Sequence, residues 1–268
     1  NFYPFDKTLL KTKNQKIIIE NIDIGGPSLA RAAAKNFNDV TIITSIDQYS
    51  ELIEELKKNK GTTSLKFRIN LSEEAFSQTS YYDSAVTNYF SSITKNKFPR
   101  KKVIYGNLIE KLRYGENPHQ KAAIYSFGKS LDLLQLHGKR LSFNNYNDLY
   151  SALSLSKNLS KNFSTVIVKH GNPCGVAIHN DKLESFKKAL ACDPISSFGG
   201  IVSCNYKVGK KLALELNKIF FEIIIGNGFD KEAIKILKNK RNVRLIDASN
   251  LKLKNFHNLN SNFNALIF

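Results

Sequence analysis

"VIVKHGNPCGVAI", Val166 to Ile178, runs from an apolar β-branched stretch into Lys169 and His170 and then through Gly171, Asn172, Pro173, Cys174 and Gly175. The apolar run reads as a buried strand, and the glycines, asparagine and proline read as the break that ends it. A strand that ends in two cations has two readings. One is an ordinary polar exit followed by a turn. The other is a catalytic pair held on a rigid strand tip and aimed into a cleft by that turn.

Outward from this stretch, "KAAIYSF", "STVIVKH", "GGIVSCN" and "EIIIG" read as strands, and "YNDLYSALSLSKNLSKN" and "KLESFKKALA" read as helices between them. The alternation predicts an α/β fold with a largely covered sheet. Ligands of such sheets bind beyond the strand ends, where Lys169, His170 and the "SSFGG" turn are expected. Earlier in the chain, "DVTIIT" (Asp39 to Thr44) reads as a short buried strand. "DQYSELIEELKKNKG" reads as the following helix, with Asp47 as its cap and Gly61 as its stop. "SEEAFSQTSYYDSAVTNYFSS" (Ser72 to Ser92) carries Phe76, Tyr82, Val86 and Phe90 close to helical spacing and is expected to close a first domain. The basic, proline-containing "KNKFPRKK" (Lys95 to Lys102) is the boundary candidate. It divides the chain into residues 1–97 and 98–268.

A chain of 268 residues with 42% hydrophobic residues buries one large core or two modest ones. No apolar run approaches the roughly 20 residues that span a bilayer, and no signal sequence opens the chain. No membrane partner is expected, and the expected compartment is the cytoplasm. Cys174, Cys192 and Cys204 lack paired spacing, which argues against a disulfide framework. The formal charge of +17 invites a nucleic-acid reading, because clustered Lys and Arg release counterions from phosphates. The lysines are nevertheless spread along the chain, and the runs "PRKK" and "KNKRNVR" are short and lack interleaved aromatics. They read as solvated surface whose positive field favours anionic small substrates, and nucleic acid is not the expected partner. The chain opens on Asn1 and contains no Met, so it reads as a piece of something longer.

Four motifs carry possible chemistry. "DIGGPSLARAAAKN" (Asp23 to Asn36) sets Gly25 and Gly26 before a helix that Pro27 and Ser28 open, a start that cradles an anion or is a plain turn. Its spacing matches neither dinucleotide nor P-loop patterns. At Lys169 and His170, an imidazole that titrates near neutrality takes a proton from an attacking amine while an ammonium stabilises charge developing on a carbonyl oxygen. On residue types alone, the ordinary strand exit remains the stronger reading. Cys174 as a nucleophile carries less weight than Cys174 as packing. A zinc deaminase needs His-x-Glu and Pro-Cys-x-x-Cys; here Pro173 and Cys174 are followed by Ala177, and no His-x-Glu occurs, so no metal is expected.

The segments "NFYPF", "ENIDIGGPSLARAAAKN", "YDSAVTNYF", "LRYGENPHQKAAIY", "VKHGNPCGVAI" and "DPISSFGGIV" occur in this order and extend over most of the chain. Together they resemble the family of bifunctional purine biosynthesis enzymes that combine AICAR transformylase with IMP cyclohydrolase. The resemblance implies that residues 1–97 are the second half of a cyclohydrolase domain with a methylglyoxal-synthase-like fold. Residues 98–268 would then be the first of two cytidine-deaminase-like transformylase subdomains, without zinc. The opening half of the one and the second subdomain of the other fall outside this sequence, so the chain as written is expected to catalyse neither step alone.

The implied reaction moves a formyl group from 10-formyltetrahydrofolate, as cosubstrate, to the 5-amino group of AICAR. FAICAR is then closed to IMP. By motif match His170 is the expected general base and Lys169 the residue that stabilises the transition state. Arg113 and Tyr114 of "RYG" are expected at the nucleotide, with Arg113 suited to its phosphate. Gly199 is expected to let the backbone approach the substrate, and Glu222 matches an acidic position that contacts AICAR, although the following "GNG" departs from the family's "AP". Lys35 matches the proton donor or acceptor of ring closure, and Asn1, Tyr3, Asp23 and Ile24 match positions around that nucleotide. The implied partners are AICAR, FAICAR and IMP, with a homodimer in the complete enzyme. The rival readings are a basic α/β module that binds RNA or an acidic partner, and another nucleotide-binding transferase.

Overall fold

The computed structural model describes residues 1–128, 130–159, 162–251, 260–262 and 265–267, the last two segments by backbone alone. The chain divides into two compact units, Asn1–Gly106 and Asn107–Phe268, and the architecture is mixed α/β.

The described residues of the first unit are helical and contain no strand. They form α1 (Phe5–Lys11), α2 (Gln15–Glu20), α3 (Gly25–Lys35), a 3-10 turn (Ile46–Gln48), α4 (Tyr49–Lys58) and the long α5 (Leu65–Thr94). Ser64 caps α5 by accepting the Phe67 N–H, and Lys95 ends it in the left-handed region at φ 54°. This helix is longer at both ends than Ser72 to Ser92. Its buried side chains include Phe67, Leu71, Ala75, Tyr82 and Ala85. Tyr82 and Ala85 pack with Phe5 and Ile18, and Val86 lies against this cluster, whereas Phe76 and Phe90 are exposed.

Two expectations are overturned in this unit. Val40 to Thr44 forms no strand: a strand is completed by ladder hydrogen bonds from a neighbour, and the described residues of the unit supply none. The run is half-buried, and its polar groups find side chains instead, with the Thr44 N–H donating to Gln48 Oε1 at 2.8 Å. The cap is Ser45 rather than Asp47. Ser45 Oγ accepts the Asp47 N–H while Gln48 Oε1 accepts the Ser45 N–H, a capping box that feeds the 3-10 turn into α4. Gly61 does act as the stop, at φ 90°, with its N–H on the Leu56 carbonyl at 2.7 Å.

The second unit opens with an antiparallel pair, β1 (Asn107–Lys111) and β2 (Ala123–Ser126). Its core is a six-stranded sheet built from β3 (Leu134–His137), β4 (Phe163–Lys169), β5 (Asn172–His179), β6 (Ile201–Cys204), β7 (Ile223–Gly226) and β8 (Arg244–Asp247) in the order β3-β8-β7-β6-β4-β5. β6, β7 and β8 are parallel, and β4 runs against both β5 and β6. Between the strands lie α6 (Phe143–Asn158), α7 (Lys182–Cys192), α8 (Pro194–Ser197), α9 (Lys210–Leu216) and α10 (Lys231–Leu237). A short backbone hairpin, β9 (Asn260–Asn262) and β10 (Ala265–Ile267), follows. The expected helical pattern runs to residue 162, but residues 160 and 161 lie outside the described residues.

Strand alternation explains the layers. Val166, Val168, Ile201, Ile223, Ile225 and Ile246 pack against Leu149, Ala152 and Leu153 of α6. Their neighbours Ile167, Val202, Ile224 and Leu245 pack against α7, α9 and α10 through Phe186, Ala213, Leu216 and Leu237. With both faces covered, the strands read as continuous apolar runs.

The stretch after His170 is not a loop. His170 and Gly171 form a two-residue turn at φ 53° and 74°, and the chain returns at once as β5, with Asn172 opposite Lys169. Turns with positive φ at both central residues match the twist of a hairpin. Pro173 fits because β5 is an edge strand and the ladder shifts register between Ile167 and Val168. Gly175 is demanded by close packing, since a Cβ there would run into the Ala189 carbonyl of α7.

Candidate active site

Four of the residues singled out in the sequence lie at one end of the inner strands of the sheet. Lys169 and His170 end β4, Gly199 precedes β6, and Glu222 precedes β7. Because β4 is antiparallel to β6, its carboxyl end meets the amino ends of β6, β7 and β8. Adjacent strands lie about 4.8 Å apart, so the row from β4 to β8 spans roughly 14 Å.

The turn itself is anchored. The Gly171 N–H donates to Asp148 Oδ1 of α6 at 2.6 Å, and Asn172 Nδ2 donates to the His170 carbonyl at 3.0 Å. Lys169 is half-buried, and its Nζ donates to the Phe198 carbonyl at 2.9 Å. An ammonium has three donors, so this bond orients the charge and leaves two for a ligand. Hydrogen bonds from Ser196 hold the Asp193 carboxyl below the usual carboxylate range, with a smaller contribution from the Lys169 charge. Gly199 sits at φ 75° with its N–H on the Phe220 carbonyl at 2.8 Å, and nothing stands within 4 Å of where a Cβ would be. Glycine is required there by backbone conformation, and the space beside it is open. Cys174 is half-buried, 3.6 Å from the Ile167 carbonyl, and packs against the core.

Glu222 connects this row to a cationic cleft. Asn145 Nδ2 donates to Glu222 Oε2 at 3.0 Å, and Arg244 Nη1 lies 3.8 Å from the same oxygen. The cleft has a volume of about 390 Å³, and its lining includes Arg113, Tyr114, Lys139, Arg140 and Arg244. The Arg113 guanidinium lies 5.9 Å from the centre of the Tyr114 ring. Glu110 also lines the cleft and accepts from the Tyr146 hydroxyl at 3.0 Å. Burial, and then that carboxylate, push the Tyr146 hydroxyl up, so it remains a donor at neutral pH. Such a cleft suits an anion that presents phosphate to a guanidinium.

The candidates of the first unit assemble only in part. Asp23 accepts the Tyr3 N–H through Oδ2 at 3.0 Å and the Gly26 N–H through Oδ1 at 2.8 Å, while its own N–H donates to the Tyr82 hydroxyl at 2.7 Å. A Cβ on Gly26 would come within 3.1 Å of the Asn1 carbonyl, which places Asn1, Tyr3 and Asp23 together at the start of α3. Ile24 is the residue before α3 and is 75% exposed. Lys35 is the last residue of the same helix and is exposed. At 1.5 Å per residue it stands roughly 15 Å from that cluster.

Sequence reasoning missed Asn145, Asp148 and Arg244. Asn145 lies inside the capping box that starts α6 with Ser142, a local signal that discloses its cap role and not its contact with Glu222. Arg244 belongs to "KNKRNVR", read above as solvated surface. The structure corrects that reading: the Arg244 side chain is 17% exposed, and Lys240 Nζ donates to the Ile219 carbonyl. The signal available was an arginine opening the apolar strand "RLID". Among the described residues no three His, Cys, Asp or Glu side chains are grouped to hold a metal ion, and no helix is long and apolar enough to cross a membrane.

A helix-covered sheet that sets a Lys–His hairpin tip at one end of a row of strand ends, with an arginine-lined cleft at the other end of that row, defines an α/β protein. The chain belongs to the family described as AICARFT/IMPCHase bienzyme, whose sequence profile matches residues 33–266. It is 46% identical over 252 residues to a bifunctional purine biosynthesis protein PurH of Thermoanaerobacter sp., covering 92% of this chain and 49% of that protein. Proteins of the same name from Bradyrhizobium diazoefficiens and Caldicellulosiruptor bescii are each 42% identical, over 94% and 100% of this chain and 48% and 54% of their own lengths. The chain thus spans about half the length of the curated relatives it matches.

Proposed function

We propose that the second unit carries the AICAR-facing part of a formyltransferase and the first unit part of an IMP cyclohydrolase, in de novo purine biosynthesis. The observation that carries this reading is the row of Lys169, His170, Gly199 and Glu222 at one end of the sheet's strands, with Glu222 against Arg244 of the cleft that Arg113 also lines. The cleft takes the nucleotide phosphate, and the open space beside Gly199 admits the aminoimidazole to the strand tips. The 5-amino nitrogen attacks the formyl carbon of 10-formyltetrahydrofolate, and His170 accepts the amine proton as the new C–N bond forms. The Lys169 ammonium, directed by the Phe198 carbonyl, stabilises the negative charge on the formyl oxygen. The bond to the folate nitrogen then breaks, and that nitrogen takes up a proton. Glu222, fixed between Asn145 and Arg244, orients the substrate.

Ring closure of FAICAR to IMP is assigned to the first unit, where proximity of the carboxamide nitrogen to the formyl carbon supplies much of the rate. Asn1, Tyr3, Asp23 and Ile24 hold the nucleotide, and Lys35 exchanges the proton at a different part of the ligand. The finer fold reading is a methylglyoxal-synthase-like first unit and a cytidine-deaminase-like second one. The latter is supported by the covered sheet with β4 antiparallel inside it. A cytoplasmic homodimer that binds neither nucleic acid nor zinc completes the proposal; stoichiometric zinc in the purified protein would contradict it.

The test is calorimetric titration of AICAR into the chain and into its Arg113→Ala and Arg244→Ala variants. Each variant is expected to bind roughly tenfold more weakly or worse, the scale of one charged hydrogen bond. Absence of AICAR binding, or unchanged affinity in both variants, overturns the reading.

A further inference from the structure

We propose that the opposite end of the same sheet holds a second ligand site, for a small phosphorylated anion. A cleft of about 580 Å³ lies there, larger than the one beside Arg113. Lys182 follows β5, Lys207, Lys210 and Lys211 follow β6, and Asp230 follows β7, so the cleft sits beyond the carboxyl ends of three strands that run the same way. That is where α/β sheets ordinarily receive ligands. β4 runs seven residues from Phe163 in this cleft to Lys169 at the other edge, roughly 20 Å. A ligand here does not touch the Lys169 and His170 site.

The lining has two parts. Phe163, Leu183 and Leu212 make an apolar wall, and four lysines stand against Asp181 and Asp230 of the lining and Glu232 beside it, an excess of one positive charge. Asp181 is committed to α7, where its Oδ1 accepts the Leu183 and Glu184 N–H groups at 2.8 and 2.9 Å. Lys182 is held over the rings of Phe163 and Tyr206, at 5.1 and 5.9 Å from their centres. Neither Lys182 nor Lys211 has a carboxylate partner among the described residues. Lys207 pairs with Asp230 at 2.6 Å and Lys210 with Glu232 at 3.0 Å, but both pairs are exposed. Exposed pairs are worth little, so an incoming phosphate displaces them at small cost. The helix ends add little, since α7 is already capped, and recognition falls to the lysines. Lysines are flexible point charges that grip phosphate oxygens without demanding a planar fork, which favours a phosphate chain over a single carboxylate.

The experiment is titration of inorganic tripolyphosphate and of ATP into the chain at low salt, repeated with Arg113→Ala and with Lys182→Gln/Lys211→Gln added to it. The wild type is expected to bind. Arg113→Ala removes phosphate held at the other cleft; the binding that remains in it is expected to fall at least roughly tenfold when Lys182→Gln/Lys211→Gln is added. Binding of both probes marks the phosphate chain as the recognised group, and binding of ATP alone adds the nucleoside to it. On the wild-type protein, bound ligand is expected to protect Lys182 and Lys211 from amine acylation, read by mass spectrometry. No binding below about 1 mM, no protection, or loss of all binding in Arg113→Ala overturns the proposal. Because Arg113 belongs to the AICAR cleft, failure here leaves the formyl-transfer reading standing, and the converse also holds.

Discussion

Lys169, Gly199, Glu222 and Arg244 are separated by 20 to 30 residues at each step, yet they stand side by side. Asp23 and Lys35 are 12 residues apart and stand at opposite ends of one helix. A sheet gathers whatever occupies its strand ends, at about 4.8 Å per strand. A helix separates its ends by 1.5 Å per residue and brings together only positions three or four apart. The two candidate sites therefore differ in kind. One is a row built by long-range pairing, whereas the other is a local knot of hydrogen bonds around Asp23 with Lys35 removed from it.

The largest effect expected from this difference is at His170. In protein that carries out both reactions, His170→Ala should lower formyl transfer by roughly 10²- to 10⁴-fold, the scale of general acid–base catalysis, and leave ring closure unchanged. Equal loss of both activities would erase the distinction between the sites. The next effect concerns how the row is held. Gly175→Ala drives a methyl group into the Ala189 carbonyl, so a stability loss of about 1 to 3 kcal/mol is expected by denaturant titration. Formyl transfer should fall with it, because β5 and α7 must move apart and the turn at His170 sits at the end of β5. A variant as stable as the wild type would show that this packing does not fix the strand tip. Smaller still is Asp148→Ala, which removes the acceptor for the Gly171 N–H and should cost about 1 kcal/mol. Asp148→Asn keeps a carbonyl acceptor and should recover much of it. If both variants match the wild type in stability, the turn is held by its backbone alone.

What could be read beforehand follows the same division. "STVIVKH", "GGIVSCN" and "EIIIG" disclosed their strands because β-branched runs covered on both faces look alike in any order, and the polar pair Lys169 and His170 marked an end. The return strand after His170 was hidden, because Gly-Asn-Pro-Cys-Gly has loop composition and only an edge position makes Pro173 acceptable. "DVTIIT" erred in the other direction, since strand propensity is realised only where a neighbour supplies the ladder. Arg244 and Asn145 were illegible for a third reason. Their meaning is a contact with Glu222, 22 and 77 residues away, and nothing local records it.

The smallest stability effect is expected at Lys35. It is exposed at the end of α3, and its side chain makes no hydrogen bond or ion pair among the described residues. Its charge does face the negative end of the helix dipole, worth about 0.3 to 1 kcal/mol at low salt. Lys35→Ala should therefore unfold within about 1 kcal/mol of the wild type, with the difference shrinking as salt is added. Asp23→Ala should do worse, because it strips two backbone N–H groups, of Tyr3 and Gly26, of their acceptor. This contrast isolates function from folding at Lys35 in a way that Asp23 does not allow. In protein that carries out ring closure, a Lys35→Ala variant of near-normal stability that loses that step and keeps formyl transfer would establish Lys35 as the proton carrier despite its distance from Asp23. The same variant with ring closure intact would make Lys35 a solvated helix lysine, and the proton would have to be sought among the groups gathered at the other end of α3.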